Sequence, residues 1–220
     1  MIFDDVLIPW ERVFLCEEYQ FTIPLVDRFA DMVRLCGGGC RPGVVDLAIG
    51  AMALVAEYNG VGRAGHIVDK LTDLAFRNEL GFSAALAAAV EGYREVSGLY
   101  FPNPLLANAA RLAGSYNFAR ANELFPDICG GLITTLPSEK DFINPETRPF
   151  LEKYLKGKAT VPTENRLRAF RFAESLAAGP PLHGLVCGGG TPETQKMFIR
   201  RYMDLEGKKG LVKKLAGIKD

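Results

Sequence analysis

The stretch VVDLAIGAMALVAEY, residues 44–58, is apolar on nearly every face of a helix and ends at Asn59-Gly60. A helix that is hydrophobic all round belongs in the interior of a bundle, and an Asn-Gly pair is a frequent left-handed stop. The stretch contains Asp46 and Glu57 and is shorter than the roughly 20 residues that a membrane span requires. It therefore predicts a buried central helix and no membrane span.

Helical spacing also dominates the rest of the chain. Apolar residues recur every three or four positions from Phe21 to Met32, and the run Gly37–Gly39 predicts the end of that helix. The same criteria predict helices at residues 66–95, 104–124, 145–155, 163–177 and 192–205, with Pro126 as a kink or a stop. No alternating series typical of strands is present. The sequence predicts an all-α fold with a four-helix core and additional terminal helices.

The first residues have a different character. MIFDDVLIPWERVFL is rich in β-branched and aromatic residues around Pro9, a pattern that predicts an extended segment lying along another surface. We expect Trp10 to anchor this segment in the core. The chain is therefore divided into an extended lead-in at residues 1–16 and a helical domain at residues 17–220.

Composition narrows the classes of function. The 220 residues are 48% hydrophobic and carry 26 basic and 26 acidic side chains, which allows a sizeable core and gives no overall attraction to nucleic acid. The five cysteines are an odd number, and no charged-then-apolar leader precedes them. A reducing cytoplasm fits this pattern best.

The segment RLCGGGC places Cys36 and Cys40 on either side of three glycines. We expect a loop here, since three consecutive glycines disfavour a helix. A closed zinc or iron–sulfur site needs about four ligands, and His66, His183 and the other cysteines show no recognisable ligand spacing. Residue chemistry alone favours two thiols beside a turn over a metal site.

Two further glycine turns are followed by helix-capping patterns. DICGGLITTLPSEKDF joins Gly130-Gly131 to Thr134 and to Ser138, which lies three residues before Asp141 as in a capping box. LVCGGGTPETQ repeats the arrangement, with Thr191 expected to cap the next helix. Free N–H groups at such turns can hold a phosphate, but most serve as plain turns and caps.

Several phrases together are highly specific: IFDDVLIPWERVF, DRFADMVRLCGGGC, DICGGLITTLPSEKDF, NPETRPFLEKYLKG and VPTENRLRAFRF. They resemble the C-terminal part of the flavoprotein family of 4-hydroxyphenylacetate 3-monooxygenase and 4-hydroxybutyryl-CoA dehydratase, and the dehydratase branch most. The resemblance runs from Met1 to about Gly217.

The resemblance implies a fold like that of acyl-CoA dehydrogenases, with an N-terminal helical domain, a middle β-domain and a C-terminal four-helix bundle. In that arrangement FAD lies between domains and subunits of a homotetramer. Only the bundle is present here, and the lead-in resembles the exit from the middle domain. The flavin-binding residues implied are Gly130, Gly131, Thr134 and Ser138.

The dehydratase branch also holds a [4Fe-4S] cluster, with two cysteines from the N-terminal part and a histidine and a cysteine from the C-terminal part. The resemblance places Cys40 on the C-terminal cysteine ligand and Val33 on the histidine. Valine cannot ligate iron, and Cys36 would substitute only if the expected loop shifted. The resemblance therefore assigns Cys40 as a metal ligand in a cluster that lacks one of its donors.

Three hypotheses about function follow. The first is the C-terminal half of a flavin enzyme resembling 4-hydroxybutyryl-CoA dehydratase/vinylacetyl-CoA isomerase, which acts on an acyl-CoA and associates with a chain carrying the missing domains. The second is the corresponding part of a two-component monooxygenase for a phenolic substrate, which needs no cluster. The third is a helical association module without catalysis.

Overall fold

The computed structural model describes residues 1–179 and 188–218. Three long helices form its centre: α1 (Thr22–Tyr58), α2 (Gly65–Val90) and α3 (Pro104–Cys129). Between α2 and α3 lies an antiparallel hairpin of β1 (Tyr93–Arg94) and β2 (Tyr100–Phe101), in which Tyr93 pairs with Phe101. The shorter helices are α4 (Glu139–Ile143), α5 (Arg148–Tyr154), α6 (Thr163–Ala178), α7 (Pro192–Tyr202) and α8 (Leu205–Ala216).

The core lies where α1, α2, α3 and α6 meet, so the predicted all-α fold with a four-helix core is confirmed. The second half of α1 supplies the apolar residues at its centre, which include Val45, Met52 and Val55. Phe118 and Phe125 of α3 and Phe170 of α6 complete it. Each of these side chains is fully buried, and burying one stabilises the fold by about 1.5–3 kcal/mol.

The prediction that Gly37–Gly39 end a helix is wrong, because α1 continues through all three glycines to Tyr58. A Cβ on Gly38 would lie 2.9 Å from Cβ of Ala85 in α2 and 3.0 Å from Cβ of Ala110 in α3. A Cβ on Gly37 would lie 3.1 Å from Cδ of Arg111. Glycine is therefore used here for close approach of three helices, and their packing offsets its low helix propensity.

Other boundaries also differ from the predictions. α2 ends at Val90 instead of continuing to residue 95, because the first strand of the hairpin begins at Tyr93. Gly92 lies close to the second strand, since a Cβ on it would be 2.4 Å from the carbonyl oxygen of Phe101. α3 continues past Pro126 to Cys129. As predicted at the end of α1, Gly60 adopts a φ of +82°.

The lead-in does not pack on the core of this chain. Every residue from Met1 to Phe21 is exposed except Pro9 and Val13, which are half-buried. Trp10 is 73% exposed, so the expectation that it anchors the segment in this chain's core is wrong. Its apolar side chains require a surface that the described part of the chain does not provide.

By length and composition alone, the helical stretch Tyr19–Tyr58 could cross a membrane, with a mean hydropathy of 1.4 in its most apolar part. Nearly half of that part, 44%, is buried inside the protein. Packing on α2, α3 and α6 covers the buried side of this helix.

Candidate functional site

The glycine turn, residues 130–135, follows α3. The helix ends where Gly130 adopts a φ of +72° and donates its N–H to the carbonyl of Pro126 at 2.9 Å. The hydroxyls of Thr134 and Thr135 both donate to the carbonyl of Gly131, at 2.9 and 3.3 Å. Within the described residues, a Cβ on Gly130 or Gly131 would meet no atom within 4 Å. The outer side of the turn is therefore open.

Ser138 forms the predicted capping box at the start of α4. Its hydroxyl accepts from the N–H of Asp141 at 3.3 Å, and its own N–H donates to Oδ2 of Asp141 at 2.9 Å. The carboxylate of Asp141 thus accepts from the N–H of Ser138 and the Ser138 hydroxyl accepts from the N–H of Asp141, so neither N–H is left for an anion. The local role of Ser138 in this conformation is to start the helix.

A groove of about 770 Å³, which we call the arginine groove, lies between the α4–α5 segment and α6. Its lining includes Ser138, the apolar residues Leu136, Phe142, Ile143, Leu167 and Phe172, and the arginines Arg148, Arg168 and Arg171. Glu139 and Glu164 also line the groove, so its charge is mixed, and its apolar side chains together with the three arginines suit a ligand that combines aromatic rings with negative charge.

Each arginine of the groove is held in place by a neighbour. Arg148 donates to Glu152 at 2.9 Å, and Arg168 donates to Glu164 at 2.8 Å. Arg171 pairs with Glu174 and donates to the carbonyl of Pro137 at 2.8 Å. All three ion pairs are partly exposed, where such pairs add less than about 1 kcal/mol of stability. A negatively charged ligand can therefore replace these contacts at small cost.

A smaller cavity of about 320 Å³ lies between α6 and α1. Arg168 and Phe172 line both cavities, and the α1 side of the smaller one is formed by Ala51, Leu54 and Tyr58. The two cavities therefore lie next to each other on α6, and the smaller one reaches α1.

The exposed side of α1, which we call the cysteine face, is formed by Met32, Cys36, Cys40, Leu47 and Leu54. Leu54 follows Cys36 by about five helical turns and so lies at the same position around the helix axis. These side chains are exposed and uncharged, and the charged residues of α1 that are exposed beside them are Asp46 and Glu57, fewer than a solvent-facing helix surface of this length normally carries. The cysteine face therefore has the character of a buried interface.

The implied cluster site is only partly present on this face. Cys36 and Cys40 are free and exposed, whereas Val33 is half-buried and its Cγ1 lies 3.2 Å from where a Cβ on Gly189 would be. Among the described residues, no three His, Cys, Asp or Glu side chains converge on a common point. A [4Fe-4S] cluster takes about four ligands, so this chain can offer two thiolates and not the expected histidine–cysteine pair.

Sequence reasoning missed a buried polar seam on the opposite side of α1. The α1 residues Asp27, Asp31, Arg34 and Arg41 are all buried there. Their spacing of three, four and seven residues places them on one helical face, and this spacing could have revealed the seam.

Three contacts show how the seam joins α1 to α3 and α7. Arg41 donates to Oγ of Ser115 at 3.0 Å, and Arg201 of α7 donates to Asp27 at 2.8 Å. The guanidinium of Arg34 stacks on Phe198 at 4.2 Å from the ring centroid. The seam therefore fixes α7 against α1. Arg34 also donates to the carbonyl of Gly189, which holds Gly189 next to Val33.

Burial alters the acid–base behaviour of two groups. Desolvation raises the pKa of Asp31 above its usual value, although a hydrogen bond from Asn108 and the charge of Arg34 oppose the shift. Desolvation also raises the pKa of the Cys129 thiol to about 12. Cys129 is therefore an inert structural thiol at neutral pH.

The remaining sequence candidates lie apart from these surfaces. His66 is exposed in the first turn of α2, and Thr191 precedes α7 without donating or accepting a side-chain cap. His183 and Cys187 lie outside the described residues. The basic tail forms α8, which has no buried residue.

Comparisons with known proteins agree with the resemblance. Residues 24–217 match the family described as "4-hydroxyphenylacetate 3-hydroxylase C terminal". The chain is 39% identical to the 4-hydroxybutyryl-CoA dehydratase/vinylacetyl-CoA-Delta-isomerase of Clostridium aminobutyricum over its whole length, which is 47% of that protein.

Two solved structures share the fold. An oxygen-tolerant 4-hydroxybutyryl-CoA dehydratase from N. maritimus is 40% identical, with a TM-score of 0.92 over 100% of this chain and 44% of its own. The oxygenase component of a 4-hydroxyphenylacetate 3-monooxygenase, solved with FAD and 4-hydroxyphenylacetate, is 27% identical, with a TM-score of 0.86 over 97% of this chain and 46% of its own. The chain thus spans less than half the length of these relatives. It belongs to the 4-hydroxyphenylacetate 3-hydroxylase C-terminal family.

Proposed function

We propose that this chain is the C-terminal helical half of an FAD-dependent enzyme that resembles 4-hydroxybutyryl-CoA dehydratase/vinylacetyl-CoA isomerase. The observation that carries the proposal is its match to the whole chain at a TM-score of 0.92, against 44% of the dehydratase structure. The domain division also remains a proposal: residues 1–16 lead in from a middle β-domain, and residues 17–220 form the helical domain. An N-terminal and a middle domain, in the same polypeptide or a separate one, complete the enzyme.

Two uncovered surfaces support the proposal. The lead-in exposes Phe3, Leu7 and Trp10, and the cysteine face exposes Met32, Leu47 and Leu54. Contiguous exposed apolar surface marks an interaction site in a soluble protein. We assign both surfaces to contacts with the missing domains and with other copies in a homotetramer, located in the cytoplasm.

The glycine turn and the arginine groove are the proposed contribution to FAD binding. The open side of Gly130 and Gly131 allows a ligand to approach the protein backbone closely, and Thr134 lies in the same turn. The groove offers Phe142 and Phe172 to an aromatic ring and Arg171 to a phosphate. When bound, FAD supplies the electron transfer that no side chain can perform. The substrate class is an acyl-CoA.

Reconstitution tests the proposal directly. The chain is co-expressed with a polypeptide corresponding to the N-terminal and middle domains of its relatives, and the complex is assayed for bound flavin by absorbance. We expect flavin in the complex, and at least about tenfold weaker flavin retention with Arg171→Gln or Gly131→Leu. Arg77→Gln on α2 is the matched control, because Arg77 makes a similar exposed ion pair away from the groove. A stable complex without flavin would contradict the proposal.

A two-component monooxygenase acting on a phenol is the second candidate. Val33 favours it, because this activity needs no metal donor at that position, and a monooxygenase structure with FAD shares the fold. Oxygen consumption by the reconstituted complex, with reduced FAD supplied and dependent on a phenolic substrate, would establish this alternative. The same complex tested with a hydroxyacyl-CoA in the absence of oxygen distinguishes the two.

A helical association module without catalysis is the third candidate. The exposed apolar surfaces favour it equally, since they need a partner whether or not flavin is bound. It predicts an oligomer that remains colourless with the partner chain present.

A further inference from the structure

The exposed side of α2 carries an apolar face that the described part of the chain leaves uncovered. Between residues 76 and 90 the sequence contains two charged side chains, Arg77 and Glu79, and none from Leu80 to Val90. The large apolar side chains of this face are 45–72% exposed and are Phe76, Leu80, Phe82, Leu86 and Val90. Contiguous exposed apolar surface on a helix marks a site of contact with another surface.

The exposed residues of this face follow a coiled-coil spacing. One line along the helix, which we call the α2 stripe, is formed by Phe76, Glu79, Ser83, Leu86 and Val90. Its members are separated alternately by three and four residues, the spacing with which one helix packs lengthwise along another. Arg77 lies about 100° around the helix from Phe76 and forms an ion pair with Asp73 at 2.9 Å. The α2 stripe therefore predicts that the partner is a helix.

The order of residues along the α2 stripe is complementary to the same stripe running in the opposite direction. A two-fold axis beside residue 81 brings Phe76 against Leu86 of a second copy, and Glu79 against Ser83 of that copy. The Ser83 hydroxyl can donate to the carboxylate of Glu79. A parallel arrangement would place each Glu79 against its counterpart, which the repulsion of like charges disfavours. The pattern therefore favours an antiparallel pair.

The size of the face also suits a second copy. Its five large side chains, which are 45–72% exposed, present on the order of 500 Å² of apolar surface. Pairing two copies removes about 1,000 Å² from water in total, which is the size at which specific interfaces begin. The lead-in and the cysteine face, which we assign to the missing domains, belong to other segments of the chain. The α2 stripe thus remains available to a second copy when those surfaces are covered.

We propose that the exposed face of α2 is a two-fold interface, at which two copies of this chain pair through antiparallel α2 helices. The interface is isologous, so that each copy contributes the same residues. It goes beyond the proposed enzyme function, because it requires neither bound flavin nor the missing domains.

Sedimentation equilibrium of the purified chain at micromolar concentration tests the interface. Wild type is expected to form a dimer or a larger oligomer. Leu86→Glu is expected to weaken association at least about tenfold, because it buries an unpaired charge. Leu211→Glu in α8 is the matched control, since Leu211 is 59% exposed and Leu86 is 58% exposed, and it is expected to associate as wild type. Far-UV circular dichroism checks that each variant is folded.

A second variant tests the antiparallel arrangement. Phe76→Lys is also expected to weaken association at least about tenfold when it is alone. In a mixed pair with Leu86→Glu, the introduced lysine faces the introduced glutamate at one contact, and the other contact keeps the wild-type Phe76 and Leu86. Mixing the two variants is therefore expected to restore association, and native mass spectra identify the mixed dimers.

Several results would overturn the proposal. They are a monomeric wild type, equal effects of Leu86→Glu and Leu211→Glu, and a mixture of folded Phe76→Lys and Leu86→Glu that stays dissociated. If Leu86→Glu instead prevents binding of a polypeptide that carries the missing domains, those domains cover the face and the proposal is wrong. Bound flavin is measured separately by absorbance, so failure of this interface leaves the proposed enzyme function undecided.

Discussion

The two halves of α1 form one helix by different means. From residue 44 to residue 58, apolar side chains such as Val45, Met52 and Val55 bury themselves in the core. From residue 27 to residue 42, the buried positions hold Asp31, Arg34 and Gly38 instead. The N-terminal half, residues 27–42, is built from glycines at a close helix crossing and from paired charges. The stability of the N-terminal half therefore depends more on the size and charge of its side chains, while that of the C-terminal half depends on buried apolar volume.

The largest effect is expected in the apolar half. Met52→Ala removes a fully buried side chain and is expected to lower the free energy of unfolding by about 2–5 kcal/mol, because a cavity remains. Urea unfolding followed by circular dichroism measures the change. Leu54→Ala, on the exposed side of the same turn, is the control, with an expected change within about 0.5 kcal/mol. Equal effects of the two substitutions would contradict the assignment of faces.

In the N-terminal half of α1, replacing two neighbouring glycines by alanine is expected to change the stability of the protein in opposite directions. Gly38→Ala places a Cβ 2.9 Å from that of Ala85 and is expected to cost about 1–3 kcal/mol through overpacking. Gly39→Ala meets no described atom within 4 Å and is expected to stabilise the helix by about 0.5–1 kcal/mol. Thermal melting of both variants measures the difference. A loop at this position would give no such contrast.

The buried charges of the same half predict a pH dependence. Because burial raises the pKa of Asp31 in the folded protein, the folded state binds this proton more tightly than the unfolded state. The free energy of unfolding therefore falls as the pH rises from the usual value near 3.8 through the raised one.

Asp31→Asn tests this pH dependence, because it removes the titration while keeping an oxygen that accepts from Asn108. The variant is expected to match wild type below the usual pKa of Asp31 and to be more stable at neutral pH. Urea unfolding across the pH range gives the comparison. A variant that matches wild type at low pH but is less stable at neutral pH would show that the attraction of Arg34 for the ionised carboxylate outweighs the cost of burial.

The last prediction concerns the rate at which the cysteine thiols are alkylated and involves no change in the free energy of unfolding. Cys36 and Cys40 are exposed on α1, whereas Cys129 is buried with its pKa raised to about 12. Alkylation of the native chain, mapped by mass spectrometry, is expected to modify the first two and to modify Cys129 only after unfolding. Rapid native labelling of Cys129 would contradict its burial.

Sequence reasoning succeeded where a local pattern and its tertiary role agree. The apolar stretch from Val44 to Tyr58, the stop at Gly60 and the capping box at Ser138 all form as predicted. Each depends on side-chain periodicity or on hydrogen bonds within a few residues. The flavin-binding roles of Gly130, Gly131, Thr134 and Ser138 and the ligand role of Cys40 stay predictions.

Sequence patterns alone determined the all-α class and the family of this protein, because helical periodicity and long specific phrases are written in the order of residues. Only the tertiary structure decided that Gly37–Gly39 are helical and that Cys36 and Cys40 share one exposed face. A glycine run favours a turn locally, and only Ala85 and Ala110, far away in the sequence, make the absence of a side chain at Gly38 stabilise a helix. Packing between distant segments can thus outweigh local propensity.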